Sequence, residues 1–380
     1  MVSSLQEPIM VSVNTAYSTT SYASLASTFV NNVAQQTAGT SGAAAKTSTD
    51  SAATNVTLSD AAKASLELKD FATVVSEVRA KLEAIMLEAG RTNPLEKGEL
   101  AVDLSTLDQR ELYAMSSNGE SKFTPDEQKA AGLEMQRRFE AALSGPAAVA
   151  RVTGNYQNLY KAAAEYFDAL GPEEKLDKEW IAGRAALTEG LKQLQADPKK
   201  LPTTNKDDPV ALYLALAEAG EAASPRPIGS VAEQARKTLD KLYADAVANG
   251  KVPTFNSKTT VGTYIDMIAF DSRSLSSIIL DGTGKFTETE VNAAQTAMRS
   301  KSGAALVAGF QNAAKSSDPT AFSQNVISLY SAMSPEERQA AGWSKKFYEA
   351  ALSSYTSTAK MMEMFGESSG NTGFSSWFSK

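Results

Sequence analysis

The stretch DGTGKFTETE, residues 281–290, has a counterpart 163 residues earlier, NGESKFTPDE at 118–127. Sliding the chain over itself by that interval lays 104–180 on 267–343, with 20 of 77 positions identical. Asp108, Arg110 and Leu112 fall on Asp271, Arg273 and Leu275; GPEE falls on SPEE, and Trp180 on Trp343. Upstream, with a small shift, VRAKLEAIMLEAG matches ARKTLDKLYADAVANG. A solenoid unit runs to about 20–50 residues, so this period implies a duplicated domain.

The matched stretches read as helices. Around Arg79, Val75, Val78, Leu82, Ile85 and Ala89 share one face of a helix that ends at Gly90. In NYQNLYKAAAEYFDAL, Tyr156, Leu159, Tyr160, Ala163, Phe167 and Leu170 do the same, a stripe that reads as core. Strand signals are few; KVPTFNSKTTVGTYI (251–265) is the one place for a short strand. The expectation is an all-α fold of two tandem homologous multi-helix domains, 57–197 and 205–362, with a linker at 198–204. Residues 1–56 carry only three charged side chains, Glu7, Lys46 and Asp50, in a Ser/Thr/Ala-rich background. Such a segment buries too little apolar surface to offset its ordering entropy, and is expected to be disordered or to fold on a partner. Residues 363–380 are expected to be a flexible tail. TLSDAAKASLELK is expected to be a helix, with DPVALYLALAEAG as its equivalent at the head of the second domain.

The repeated stretch resembles the loop of an EF-hand, a twelve-residue calcium site between two helices. In the second copy the ligand positions fall on Asp281, Thr283, Lys285 through its carbonyl, Thr287 and Glu290, with Gly284 at the sharp turn. In the first they fall on Asn118, Glu120, Lys122 through its carbonyl, Thr124 and Glu127. The first ligand, an Asp in the family pattern, is Ile279 or Ser116 here. The resemblance therefore implies weak calcium binding or none, since affinity follows ligand charge. The same residues also satisfy a metal-free requirement. Thr124 with Glu127, and Thr287 with Glu290, are capping boxes, and Pro125 suits a first helical position. Asp108 and Asp271 read as caps, and Arg110 and Arg273 as bridges to a neighbouring helix. GPEEK (171–175) and SPEER (334–338) read as further helix starts, not catalytic carboxylates. Trp180 and Trp343 read as core anchors.

Composition removes whole classes of chemistry. With no cysteine and no histidine, thiol catalysis, disulfides, Cys/His zinc sites and His-based acid–base steps are excluded. A net charge of −7 without a run of Lys and Arg argues against a nucleic-acid partner. No stretch of about 18 apolar residues is present, so no membrane insertion is expected. No phosphate-binding glycine loop or dinucleotide fingerprint occurs. The functional expectation is a non-enzymatic interaction or structural protein, with protein partners and no cofactor. Its Ser/Thr-rich, almost uncharged N-terminus without a basic Sec-type signal suggests a bacterial protein exported uncleaved by a flagellar or type III-like route; the alternative is cytoplasmic. Two other functions compete: a calcium-modulated adaptor acting through the loops, and an enzyme with a carboxylate or Ser-Lys site in the cleft between the domains.

Overall fold

The computed structural model describes residues 69–223 and 225–368, with side chains to Met364. The expected disordered segment 1–56, most of the helix expected over TLSDAAKASLELK, and residues 369–380 of the expected tail lie outside the described residues. The fold is all-α. It runs α1 (Phe71–Glu88), β1 (Leu95–Glu96), β2 (Glu99–Leu100), α2 (Gln109–Ser116), α3 (Pro125–Thr153), α4 (Gln157–Asp168), α5 (Lys178–Ala196) and α6 (Pro209–Ala219). It continues with α7 (Ile228–Ala248), β3 (Pro253–Thr254), β4 (Thr263–Tyr264), α8 (Ser272–Leu280), α9 (Glu288–Ala314), α10 (Ala321–Ala332), α11 (Pro335–Ala341) and α12 (Lys345–Ser368). Among the described residues no helix is long and apolar enough to cross a membrane.

The strands are two-residue ladders. β3 and β4 lie in the stretch expected to hold a strand and pair in parallel. β1 and β2 form a hairpin turned by Lys97 and Gly98, both at positive φ (54° and 86°). That is the turn a two-residue hairpin prefers.

Among the described residues, four cores hold the helices. In the first, Val75, Val78, Leu82 and Met86 of α1 meet α2 and the first turns of α3, at Ala130, Ala131 and Met135. Ala89, expected on the buried face, is exposed, because Met86 takes the last inward position. The second core joins the middle of α3 (Phe139, Leu143, Ala147) to α4, α5 and α6. The third is built from α7, α8 and the start of α9. The fourth sets Val149 of α3 against Val326 and Ile327 of α10 and Ala351 of α12. α3 thus serves three cores in turn. Its crossing with α10 is close: a Cβ on Gly145 would lie 2.6 Å from Ser328 Oγ and 2.8 Å from the Ser328 carbonyl oxygen. Glycine is required there.

Helix starts follow the expected chemistry. Asp108, Thr124, Thr287 and Ser334 each complete a capping box, and Asp271 accepts from the Ser274 N–H. The two Pro-Glu-Glu stretches diverge. SPEER opens α11 under the Ser334 cap. GPEEK yields only a 3₁₀ turn, Glu174–Leu176, since Gly171 offers no capping oxygen; α5 starts later, under Asp177.

Three placements differ from the expected layout. α6, expected at the head of the second domain, packs on α4 and α5, burying Val210 and Tyr213 in their core. The stretch expected to be a linker is tied down on its way there: the Tyr156 N–H donates to the Pro198 carbonyl, and Tyr160 OH donates to Asp208 at 2.7 Å. α12 continues to Ser368, past the expected start of the tail. Neither Trp180 nor Trp343 is fully buried. Trp180 leans on Phe167 from the core margin and donates its indole N–H to the Phe167 carbonyl, which keeps the polar end of the ring satisfied. Trp343 packs edge-on against Phe347.

Candidate functional site

The two loops have one construction. α2 ends and Asn118 turns left-handed at φ 54°; its side-chain oxygen accepts from the Phe123 N–H at 3.0 Å. α8 ends and Asp281 turns left-handed at φ 30°; its carboxylate accepts from the Lys285 and Phe286 N–H groups at 2.8 and 3.3 Å. Asn and Asp tolerate this conformation because a short side chain bonds back to local backbone. Phe123 and Phe286 then drop into the first and third cores.

The glutamate closing each loop is the most constrained residue. Glu127 accepts from the Thr124 N–H at 2.8 Å and from Arg79 at 2.9 Å. Glu290, 1% exposed, accepts from the Thr287 N–H at 2.7 Å, Arg236 at 2.8 Å and Tyr243 OH at 2.7 Å. Each arginine also lies over the phenylalanine of its own loop, 5.6 Å from the Phe123 ring and 5.5 Å from Phe286. Burial alone would push both carboxyls up. The donated hydrogen bonds outweigh it, and both sit below the usual carboxylate range. Burial, then Glu290 itself, pushes the Tyr243 hydroxyl far up, so it stays a donor.

The other candidate ligands are engaged or face outward. Glu120 pairs with Lys122 at 2.6 Å, and the Lys122 carbonyl faces Arg79 at 3.4 Å. Thr124 and Thr287 spend their hydroxyl oxygens on the Glu127 and Glu290 N–H groups. The Lys285 ammonium reaches Glu233 at 3.0 Å, and Thr283 is exposed in the turn. At the first loop position, Ser116 bonds the Tyr113 carbonyl and Ile279 packs on the third core. Among the described residues no group of three or more acidic side chains is placed to hold a metal ion. In each loop a guanidinium stands where the closing carboxylate would meet a cation.

The loop sequences themselves name neither arginine. Arg79 precedes Glu127 by 48 residues, and Arg236 precedes Glu290 by 54, so the ungapped interval of 163 misaligns them. The shifted match VRAKL/ARKTL does superpose them.

Arg110 and Arg273 form a second matched pair. Arg110 bonds Glu173 through two nitrogens and the Lys69 carbonyl at 2.7 Å. Arg273 bonds the Arg226 carbonyl at 2.8 Å, Ser334 Oγ at 2.7 Å and Glu336 at 3.4 Å.

A cleft of about 660 Å³ lies where α2 and α3 meet α8 and the α10–α11 junction. Its charges are mutually engaged. Glu134 holds Arg137 and Arg138, and Glu140 accepts from the Ala223 N–H at 2.5 Å and from Gln136 at 2.7 Å. Glu337 accepts from the Ser334 N–H at 2.8 Å. Arg226 clasps the two sides, reaching Asp103 at 2.9 Å and Ser105 at 2.7 Å on one and Asp271 at 3.5 Å on the other. Only Gln109 Oε1 and Arg226 Nε among the atoms of its lining side chains are buried without a partner. Among the described residues, serines line the cleft but no lysine does.

No family model matches the chain, and neither a curated protein nor a solved structure is similar to it.

Proposed function

We propose that the protein is a non-enzymatic helical protein that acts by binding other proteins, built from two copies of one module. One observation carries the reading: the candidate ligand carboxylates and the arginines of both loops, and the charged side chains that line the cleft, are engaged with neighbouring side chains or with local backbone. A general base or nucleophile needs an uncommitted group within reach of a reacting atom, and these side chains serve as caps and cross-braces instead.

The duplication is supported by more than sequence. Left-handed Asn118/Asp281, cap Thr124/Thr287, closing Glu127/Glu290 and ring Phe123/Phe286 hold the same relations in both halves, and Arg79 and Arg236 repeat one pair of contacts. Bacterial origin and export without a cleaved signal are supported only by composition: no cysteine, and an N-terminal 56 residues almost free of charge.

Two experiments test the reading. Crosslinking the full chain in its native cells is expected to return one recurrent partner protein; recovery of the uncrosslinked monomer alone would overturn it. Millimolar calcium is expected to leave the melting temperature where chelator leaves it. A rise that disappears in Glu290→Gln would instead make the loops ion sites and the protein a calcium-dependent adaptor.

A further inference from the structure

α9 presents one uncovered stripe. Arg299, Gly303, Val307, Phe310 and Ala314 recur every three or four residues, so they share a face, and all five are exposed. Phe310 meets Phe322 of α10 edge-to-face, 5.8 Å apart. The two rings are 62% and 40% exposed, whereas Ala147 and Leu159, their counterparts across the 163-residue interval, are 1% and 0% exposed. Apolar side chains grouped in water mark an interaction surface. Gly303 points the same way. Glycine weakens a helix interior, and no packed neighbour lies within 4 Å of where its Cβ would stand.

The first half shows what such a face accepts. There α6 lies on the core that contains Ala147 and Leu159, and Val210, Tyr213 and Leu214 reach it, spaced i, i+3 and i+4 on one turn. The helix and its ends are also acidic: Asp207, Asp208, Glu218 and Glu221 stand between Lys206 and Arg226, with no basic residue among them. The uncovered face has the complementary charge. From Val291 to Met333 the chain carries Arg299, Lys301 and Lys315. The one acidic residue of that stretch, Asp318, is taken up by the Thr320 N–H and the Gln324 side chain, each at 2.8 Å. Size favours one helix over a second copy of the chain. At their exposures the two rings leave about 200 Å² open, against roughly 800 Å² per partner in a standard stable interface. From Arg299 to Phe310 the stripe runs about 17 Å, the length of the eleven-residue α6.

We infer that this face docks an amphipathic helix of a partner protein, one with apolar residues at i, i+3 and i+4 and a surplus of acidic side chains. The helix lies along α9 and sets its apolar residues against Val307, Phe310 and Phe322. It passes close over Gly303 and turns a carboxylate to Arg299. Recognition of this kind, a helix laid by its apolar stripe into a groove, needs only a short segment of the partner. The inference rests on the protein-binding reading and adds to it the site and the chemistry of the partner.

The probe is a fluorescein-labelled peptide with the sequence of residues 207–220, stapled between positions 211 and 215, which are exposed in the chain. Stapling preorganises the helix. Titrated with the full chain, the peptide should bind saturably, and more weakly as salt is raised. Phe310→Ser with Phe322→Ser should lower its affinity by about tenfold or more; both positions are exposed, and circular dichroism would verify the fold. Gly303→Gln improves the helix and so separates docking from folding: it should raise the melting temperature while weakening the peptide. Absence of saturable binding would overturn the inference. So would an affinity unchanged by either set of substitutions, which would place the peptide elsewhere on the chain. A concentration-dependent dimer in sedimentation that Phe310→Ser and Phe322→Ser abolish would overturn it in favour of a second copy. A crosslinked native partner retained after the same substitutions would leave the protein-binding reading standing and overturn this site alone.

Discussion

Glu174 offers a test of the first half through pH. It is 1% exposed, and Gln109 Nε2 donates to its Oε2 at 2.8 Å. Gln109 Oε1 and Glu174 Oε1 are both buried without a hydrogen-bond partner. A neutral Glu174 carries an O–H, the kind of donor that Gln109 Oε1 lacks. Burial, reinforced by Asp177 and opposed by Lys175, pushes the Glu174 carboxyl up to about 8 from an ordinary 4.5. The folded protein therefore binds a proton that the unfolded chain releases between those values. The stabilisation from this group is full below pH 4.5 and is lost as pH rises through 8. At about 1.4 kcal/mol per pH unit, the loss reaches about 5 kcal/mol across that window, and about 3 kcal/mol is already gone at pH 7. Glu174→Gln keeps an acceptor for Gln109 Nε2 and supplies a permanent N–H donor in place of the O–H. Urea unfolding from pH 5 to 9 should show stability falling with pH in the parent and a flatter profile in Glu174→Gln, with the variant more stable at pH 8.5. Parallel profiles, or a variant weaker throughout, would refute the neutral acid.

Three other substitutions probe separate joints. Gly145→Ala sets a methyl against Ser328 at the α3–α10 crossing and should cost about 1–3 kcal/mol, read as a lowered urea midpoint. Arg236→Met strands Glu290, 1% exposed, with only its capping and tyrosine bonds. Loss of one partner of a buried pair costs about 3–5 kcal/mol; since Arg236 is partly exposed, about 2 kcal/mol is the expected loss by thermal unfolding, and added calcium should not restore it. Arg226→Ala removes the clasp between Asp103 and Asp271, and amide hydrogen exchange should rise on both sides of the cleft, at 103–105 and 271–274.

Local chemistry was the most legible part of the chain. Asp108, Thr124, Asp271, Thr287 and Ser334 cap helices because each cap acts over three or four residues, within reach of a sequence pattern. The stripe on α4 was legible because 3.6-residue periodicity survives whatever packs on it. Partners distant in sequence were not. Nothing near Glu127 or Glu290 names Arg79 or Arg236, and without them the loops resemble ion sites more closely than the folded arrangement does. The hairpin at Lys97–Gly98 escaped because its strands are too short for alternation to register. The position of α6 escaped for another reason: the helix is apolar along most of its length, so its pattern names no preferred side, and the nearest uncovered core takes it.

α3 carries a consequence for synthesis. Its first turns find α1 and α2 already made, and its middle is covered once α4 to α6 emerge. Val149 and Val152 must wait for α10 and α12, some 200 residues further along the chain. At about 5–20 residues per second, that end of the helix leaves the ribosome about 10–40 seconds before the surface it needs. The nascent chain therefore carries an uncovered apolar stripe through the middle of its own production.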